Sequence, residues 1–283
     1  MEAIVLNTKK RKNKIAEKRD KIAGAIYGFA IGDAMGATTE FMEKEQIQRV
    51  YGKVTNIIGG GWLNLKAGEV TDDTQMTMCV MDALIKYPYR FGKFEKACAD
   101  NFIEWMKSGP KDIGGQCSKG IYALVLGKRI AVDNQALGNG SLMRAMPCAL
   151  LNNIVFNECQ GKLTHNNEEC TRIIKMYSRL IQNYLDSNYI GIRTNYLLEP
   201  TGYIRNTFNN SVYWSQKDSF KEAIIGAVND GCDADTIAAI TGSIAGAKFG
   251  YDAIPKKWIK QLNPDVKEFL EKFKNFTFTY LQI

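Results

Sequence analysis

An all-α fold, a single compact multi-helix domain behind a basic N-terminal arm with at most one or two short strands, is predicted by three observations. Apolar residues recur in steps of three and four along most of the chain, the pattern of helices that each bury one stripe. Only two stretches alternate as strands do, weakly over residues 54–58 and clearly as FTFTY over 276–280, and two strands make no sheet-based fold. No Ser/Pro linker, low-complexity tract or solenoid repeat interrupts the 283 residues, whose 45% hydrophobic and 24% charged composition suits a sizeable core.

The arm comes first. Residues 1–21 hold eight Lys/Arg and three acids, so they carry +5 of the net +7 and leave the rest of the chain nearly neutral. That near balance gives no general reason to expect nucleic acid, whose footprint would be a basic face. The arm reads either as a solvated, frayed terminus or as a contact for an acidic partner. The apolar run over residues 22–32 is no secretory signal, because the charged region before it is long, Gly interrupts it and Asp33 follows directly. No run reaches the roughly 18 apolar residues of a membrane span.

Helical stripes are predicted over 15–31, 76–87, 94–107 and 219–229, and from Asn167 through Ile173, Ile174, Tyr177, Leu180, Ile181, Tyr184 and Leu185. Pro147 in SLMRAMPCALL bends or starts a helix. Gly24, Gly28 and Gly32, and again Gly242, Gly246 and Gly250, form GxxxGxxxG. Close helix approach explains both, since Gly inside a helix otherwise costs about 1 kcal/mol. Neither GxxxxGK[ST] nor a strand-led GxGxxG occurs, so a phosphate loop of either kind is excluded.

The chemistry is narrowed by what is scarce. One His, His165, rules out a metal site built from several imidazoles and any triad that does not pass through it. Seven Cys, an odd number with no CxxC pair, predict reduced thiols and a cytoplasmic protein. Three acidic clusters remain: GDAMGATTEF from Gly32, GEVTDDTQM from Gly68 and GCDADTIAAITG from Gly231. Taken singly, the last two read as helix N-caps with acids at the positive end of the dipole. A cap needs one side-chain oxygen, however, and Thr71, Asp72 and Asp73, like Asp233, Asp235 and Thr236, supply three each. If the two helix starts face each other, their four carboxylates are tolerable only with protons shared or cations bound. With Glu40 added, the set balances two divalent ions to within one charge, and such hard oxygen ligands suit Mg²⁺ or Mn²⁺.

The ordered blocks GDAMGATTE, GEVTDDTQM, GPKDIG, GNGSLMRAMP, THN at Thr164 and VNDGCDADTIAAITGSIAGAKFG resemble the ADP-ribosylglycohydrolase family, particularly its bacterial ADP-ribosylarginine hydrolase branch. The resemblance spans roughly residues 22–250 and implies an all-α catalytic domain, here residues 22–283, with two divalent cations, Mg²⁺ or Mn²⁺. It further implies hydrolysis of the N-glycosidic bond between ADP-ribose and a protein side chain, arginine first among the candidates. By resemblance, Thr71, Asp72 and Asp73 are one half of the metal ligand set and Asp233, Asp235 and Thr236 the other. Glu40 and Asp112 correspond to the catalytic acids, with general acid and general base unassigned between them. Gly114, Gly138, Asn139, Gly140, Ser141, Met143 and His165 correspond to positions that line the substrate. Gly115 stands where that branch often has Asn, and Cys232 where it has Gly, which bears on the leaving group more than on the reaction. Two other readings are open: a binding protein, such as an immunity protein whose arm blocks an ADP-ribosyltransferase, and a phosphohydrolase that cuts the pyrophosphate.

Overall fold

The computed structural model describes residues 2–187 and 192–283, with side chains from residue 11 onward. Its helices are α1 (Glu2–Gly36), α2 (Lys44–Tyr51), α3 (Asp72–Lys86), α4 (Phe91–Lys107), α5 (Gly115–Val125), α6 (Met146–Leu150), α7 (Ile154–Lys162), α8 (Glu168–Leu185), α9 (Ile204–Ser215), α10 (Phe220–Val228), α11 (Ala234–Phe249), α12 (Lys256–Gln261) and α13 (Pro264–Tyr280). A 3₁₀ turn, Asn139–Ser141, follows the loop after α5. The predicted all-α class holds, and Pro147 lies in the first turn of α6, where its missing N–H costs nothing. No helix among the described residues is long and apolar enough to cross a membrane.

The molecule is organised around α11, which is buried on every side from Ala234 to Ala247 and pairs antiparallel with α1. The two glycine triplets make this pairing possible. A Cβ added at Gly28 would sit 2.3 Å from the Gly242 carbonyl oxygen, and one at Gly32 would sit 2.0 Å from that of Ala238. Gly28→Ala is therefore expected to force the helices apart and to destabilise by about 1–3 kcal/mol. Gly92→Ala, where nothing lies within 4 Å of the added carbon, is the control, and equal melting temperatures for the two variants would contradict the close approach. Because the pair runs antiparallel, the C-terminal end of α1, with Asp33 and Gly36, lies against the start of α11 at Ala234 and Asp235.

The segment read as a basic arm is the first part of α1. Its residue Met1 and the side chains of residues 2–10 lie outside the described residues. Further along, Lys18 Nζ meets Asp186 Oδ1 at 2.8 Å and Lys21 Nζ donates to the Tyr184 carbonyl and the Ser187 hydroxyl, fastening that stretch to the end of α8.

Neither expected strand forms. FTFTY is the end of α13, whose buried residues Val266, Leu270, Phe273 and Thr277 step by three and four. The alternation spans five residues, whereas the helical period governs the longer window. Residues 54–58 form an irregular loop in which the Asn229 side chain takes the place of a neighbouring strand, accepting from Val54 N–H at 2.9 Å and donating to Val54 O at 2.8 Å.

Candidate active site

Three helix ends meet at one point: the end of α1, the start of α3 and the start of α11. Asp33 of α1 makes the first junction, accepting the backbone N–H groups of Thr71 at 3.1 Å and Thr74 at 3.0 Å. Thr71 is the N-cap of α3, its hydroxyl accepting from Asp73 N–H at 3.3 Å. Orphan donors at this helix start are thus met by Thr71 and Asp33, which frees the side chains of Asp72 and Asp73 from capping. At α11 the N-cap residue Asp233 makes no capping bond; its Oδ2 instead accepts from Asn139 Nδ2 at 2.6 Å.

Asp72, Asp73 and Asp235 converge. Each offers one oxygen, and the three atoms lie within 4.8 Å of one another in a buried setting. Thr236 Oγ1 donates to Asp73 Oδ2 at 3.3 Å, while Asp73 Oδ1 and Asp235 Oδ1 have no hydrogen-bond partner among the described residues. Asp233 stands beside this trio, tied to Asn139, which also donates to Thr207 Oγ1 at 3.0 Å. Burial, followed by the charge of its neighbours Asp235 and Asp72, raises the Asp73 carboxyl well above its usual range. For Asp235 burial comes first and the charges of Glu40 and Asp233 next. Asp72 is pushed up to about 7 by burial and then by Asp112, against a lowering hydrogen bond from the Gly114 N–H. Buried, unpaired carboxylate oxygens of this kind are tolerated with protons shared or a cation bound, and an all-oxygen donor set of carboxylates and hydroxyls suits Mg²⁺ or Mn²⁺.

Glu40 lies just past α1. Its Oε2 accepts the indole N–H of Trp62 at 2.7 Å, and burial first, with that bond opposing and Asp112, Asp233 and Asp72 adding repulsion, pushes the carboxyl up to about 8. Trp62 is held by a glycine-rich loop whose conformation glycine adopts without cost: Gly59, Gly60 and Gly61 all have positive φ. A Cβ on Gly61 would fall 2.1 Å from the Ala37 carbonyl oxygen, and Gly60 and Leu65 exchange backbone bonds at 2.8 and 2.9 Å. The ring leans on Phe41 with centroids 5.2 Å apart. Phe41 is in turn clamped to the acidic block ahead of α11, since its N–H donates to Cys232 O while Cys232 N–H donates to Met42 O, both at 2.7 Å. Cys232 takes φ 52°, the left-handed conformation that Gly adopts without cost. Trp62→Phe keeps the ring contact and removes the donor, so kcat is expected to fall about tenfold with melting temperature little changed. Steady-state kinetics with thermal denaturation check it, and an unaltered kcat would mean that the Glu40 bond is idle.

Asp112 is half-buried on the loop between α4 and α5, with Oδ1 accepting from Ile113 N–H at 2.7 Å. Gly138, Asn139, Gly140 and Ser141 form the turn opposite. The His165 ring packs against it: carbons built on Gly138 and Gly140 would lie 3.3 Å from Nε2 and 2.9 Å from Cε1. Met143 is buried, and its carbonyl accepts from the Thr77 hydroxyl at 3.0 Å.

Neither Asp33 nor Trp62 stands out in the sequence as a site residue. Asp33 sits inside the GDAMG block, yet its bonds to α3 are tertiary and leave no local signal. Only the glycine run ahead of Trp62 hints at a fixed loop.

Similarity to known proteins follows the same outline. A family model described as ADP-ribosylglycohydrolase matches residues 14–194 and 192–279. The "ADP-ribosyl-[dinitrogen reductase] glycohydrolase" of Rhodospirillum rubrum is 34% identical over 88% of this chain and 92% of its own length. The "ADP-ribosylarginine hydrolase Tri1" of Pseudomonas putida is 28% identical over 86% of this chain and 74% of its own. A solved chain from an "ADP-ribosylglycohydrolase-related protein complex" shares the fold at TM-score 0.78 and 24% identity, over 94% of this chain and 99% of that one.

Proposed function

Since the chain belongs to the ADP-ribosylglycohydrolase family, we propose that it hydrolyses the N-glycosidic bond joining ADP-ribose to an arginine side chain of a modified protein. The observation behind this reading is the buried meeting of Asp72, Asp73 and Asp235, with two carboxylate oxygens left unpaired. Relatives named for ADP-ribosylated dinitrogen reductase and for ADP-ribosylarginine support the substrate class.

Two divalent cations, Mg²⁺ or Mn²⁺, fit Thr71, Asp72, Asp73, Asp233, Asp235 and Thr236. When bound they supply the positive charge that orients ribose hydroxyls and eases removal of a proton from water. The chain's own residues do the rest. Trp62 occupies Glu40 Oε2, leaving Oε1 to hold or pass a proton. The Ile113 N–H occupies Asp112 Oδ1, which leaves Oδ2 free for the same work. A guanidine leaves readily only when protonated, so a carboxyl beside it has a chemical purpose. Gly138, Asn139, Gly140 and Ser141 bring backbone close to the nucleotide, and Gly114 holds Asp72 by its N–H.

The experiment is incubation with an ADP-ribosylarginine protein and identification of the product. Free ADP-ribose supports the proposal. AMP would point to pyrophosphate cleavage, and tight binding without product to a binding protein.

A further inference from the structure

Asp112, one of the two carboxyls proposed to hold or pass a proton, sits on the loop from Gly109 to Gly114 between α4 and α5, and little in that loop fixes its place. Gly109 takes a φ of 70°, and carbons built on Gly109, Gly114 or Gly115 would meet nothing within 4 Å, so neither end is packed. Ile113 gives the loop an apolar foothold against the core. Oδ1 of Asp112 accepts from the N–H of Ile113, its own neighbour, which orients the carboxyl within the loop and not against the rest of the fold. Like charge pushes the loop outward, because Asp112 repels the carboxyls of Asp72 and Glu40 and raises both.

One polar tie opposes that push. Lys111 Nζ lies 3.1 Å from Glu69 Oε2, and among the described residues this is the only hydrogen bond or ion pair that joins residues 110–113 to a distant segment. Glu69 is a firm anchor: its Oε2 also accepts the Lys66 N–H at 2.9 Å, its own N–H donates to Lys66 O at 3.0 Å, and the Gly68 carbonyl before it accepts from Asn263 N–H at 3.0 Å. Two residues further on stands Thr71, the cap of α3, so the pair ties the Asp112 loop to the stretch that carries Asp72 and Asp73. Both side chains keep contact with water, Lys111 at 54% and Glu69 at 29% exposure, so the pair adds little to stability. Its place, one residue from Asp112, gives it another use. We propose that Lys111 and Glu69 are positioning residues whose ion pair holds Asp112 toward the acid cluster. The proposal rests on the glycohydrolase reading above for what Asp112 does, but not for the tether.

Glu69→Gln keeps an acceptor for the Lys66 N–H and removes the charge, while Lys111→Met keeps the stem and removes the cation. Each is expected to lower kcat for ADP-ribose release about fivefold, with KM nearly unchanged and the melting temperature within about 2 °C of wild type. The double variant should lose no more than either alone, Lys111→Arg should keep the wild-type kcat, and on an Asp112→Asn background neither change should cost anything further. Lys107→Met, at an exposed pair with Glu104 at 2.8 Å, is the control and should match wild type. Amide hydrogen exchange reads the tether without substrate: Glu69→Gln should quicken exchange over residues 112–114, including the Gly114 N–H that faces Asp72, about fivefold and leave α3 unchanged. An unaltered kcat in both variants, a full further loss on the Asp112→Asn background, or unaltered exchange overturns the proposal. So does a raised KM with kcat kept, which would make Lys111 a direct substrate contact. If Asp112→Asn is too slow to assay, the double variant and the exchange decide. Wild-type protein that releases no ADP-ribose, with the exchange result as expected, would overturn the glycohydrolase reading and leave the tether standing.

Discussion

Asp73→Asn and Asp235→Asn are each expected to lower kcat/KM for release of ADP-ribose by about a thousandfold or more, equivalent to about 4 kcal/mol of lost transition-state stabilisation. The substitution keeps the volume of the side chain and lets the amide oxygen accept from Thr236, so little else changes at Asp73. What disappears is one negative charge from a buried trio whose oxygens lie within 4.8 Å of one another. Neither helix should unravel, because Thr71 and Asp33 satisfy the start of α3 and Asp235 is not the cap of α11. Asp100→Asn, at an exposed surface acid paired with Lys96 at 2.6 Å, is the control and should leave turnover unchanged. Turnover within tenfold of wild type in both site variants would remove these acids from the reaction. Loss of turnover accompanied by unfolding, seen by circular dichroism, would place them in the scaffold instead.

Much of this arrangement was legible before any coordinates. Helices show through because their buried stripe repeats many times, as in α8, and the glycines spaced by four in α1 and α11 mark a contact where two helix backbones touch. FTFTY misled because five residues sample a two-residue and a three-to-four-residue period almost equally well. The excess of oxygens around Asp72 and Asp235 was visible as more than a cap requires. The capping partner was not, because Asp33 reaches α3 across the fold. The Trp62 bond to Glu40 is hidden for the same reason: it joins segments through a tertiary contact, and Trp has no local pattern that announces its partner. Thr71 shows the limit from the other side, since the same hydroxyl serves as a cap and stands among the expected metal ligands.

Stability of the metal-free protein should fall as pH rises from about 5 to about 8, and Mg²⁺ or Mn²⁺ should restore it. In the folded chain burial pushes Asp233 up to about 6, and burial with repulsion from neighbouring acids pushes Asp72 to about 7 and Glu40 to about 8, with Asp73 and Asp235 also well above their usual range. Unfolded, the same groups ionise near 3.8 and 4.5. Between those limits the folded state binds more protons than the unfolded state, so unfolding becomes easier with each rise in pH until the folded carboxyls have lost their protons. Below the unfolded values both states are protonated and this penalty is absent. The loss is read as a melting temperature that falls steadily across this pH range. Cations bind the ionised form, so they should stabilise most at high pH and little at low pH. Scanning calorimetry at several pH values, with chelator or with Mn²⁺, reads this directly. Other partly buried acids, Asp20 and Asp230 among them, are also raised and tilt both curves alike. The difference between the curves therefore belongs to the acid cluster, and it should shrink in Asp73→Asn and Asp235→Asn. Parallel curves with and without cation would mean that the cluster holds protons and no metal.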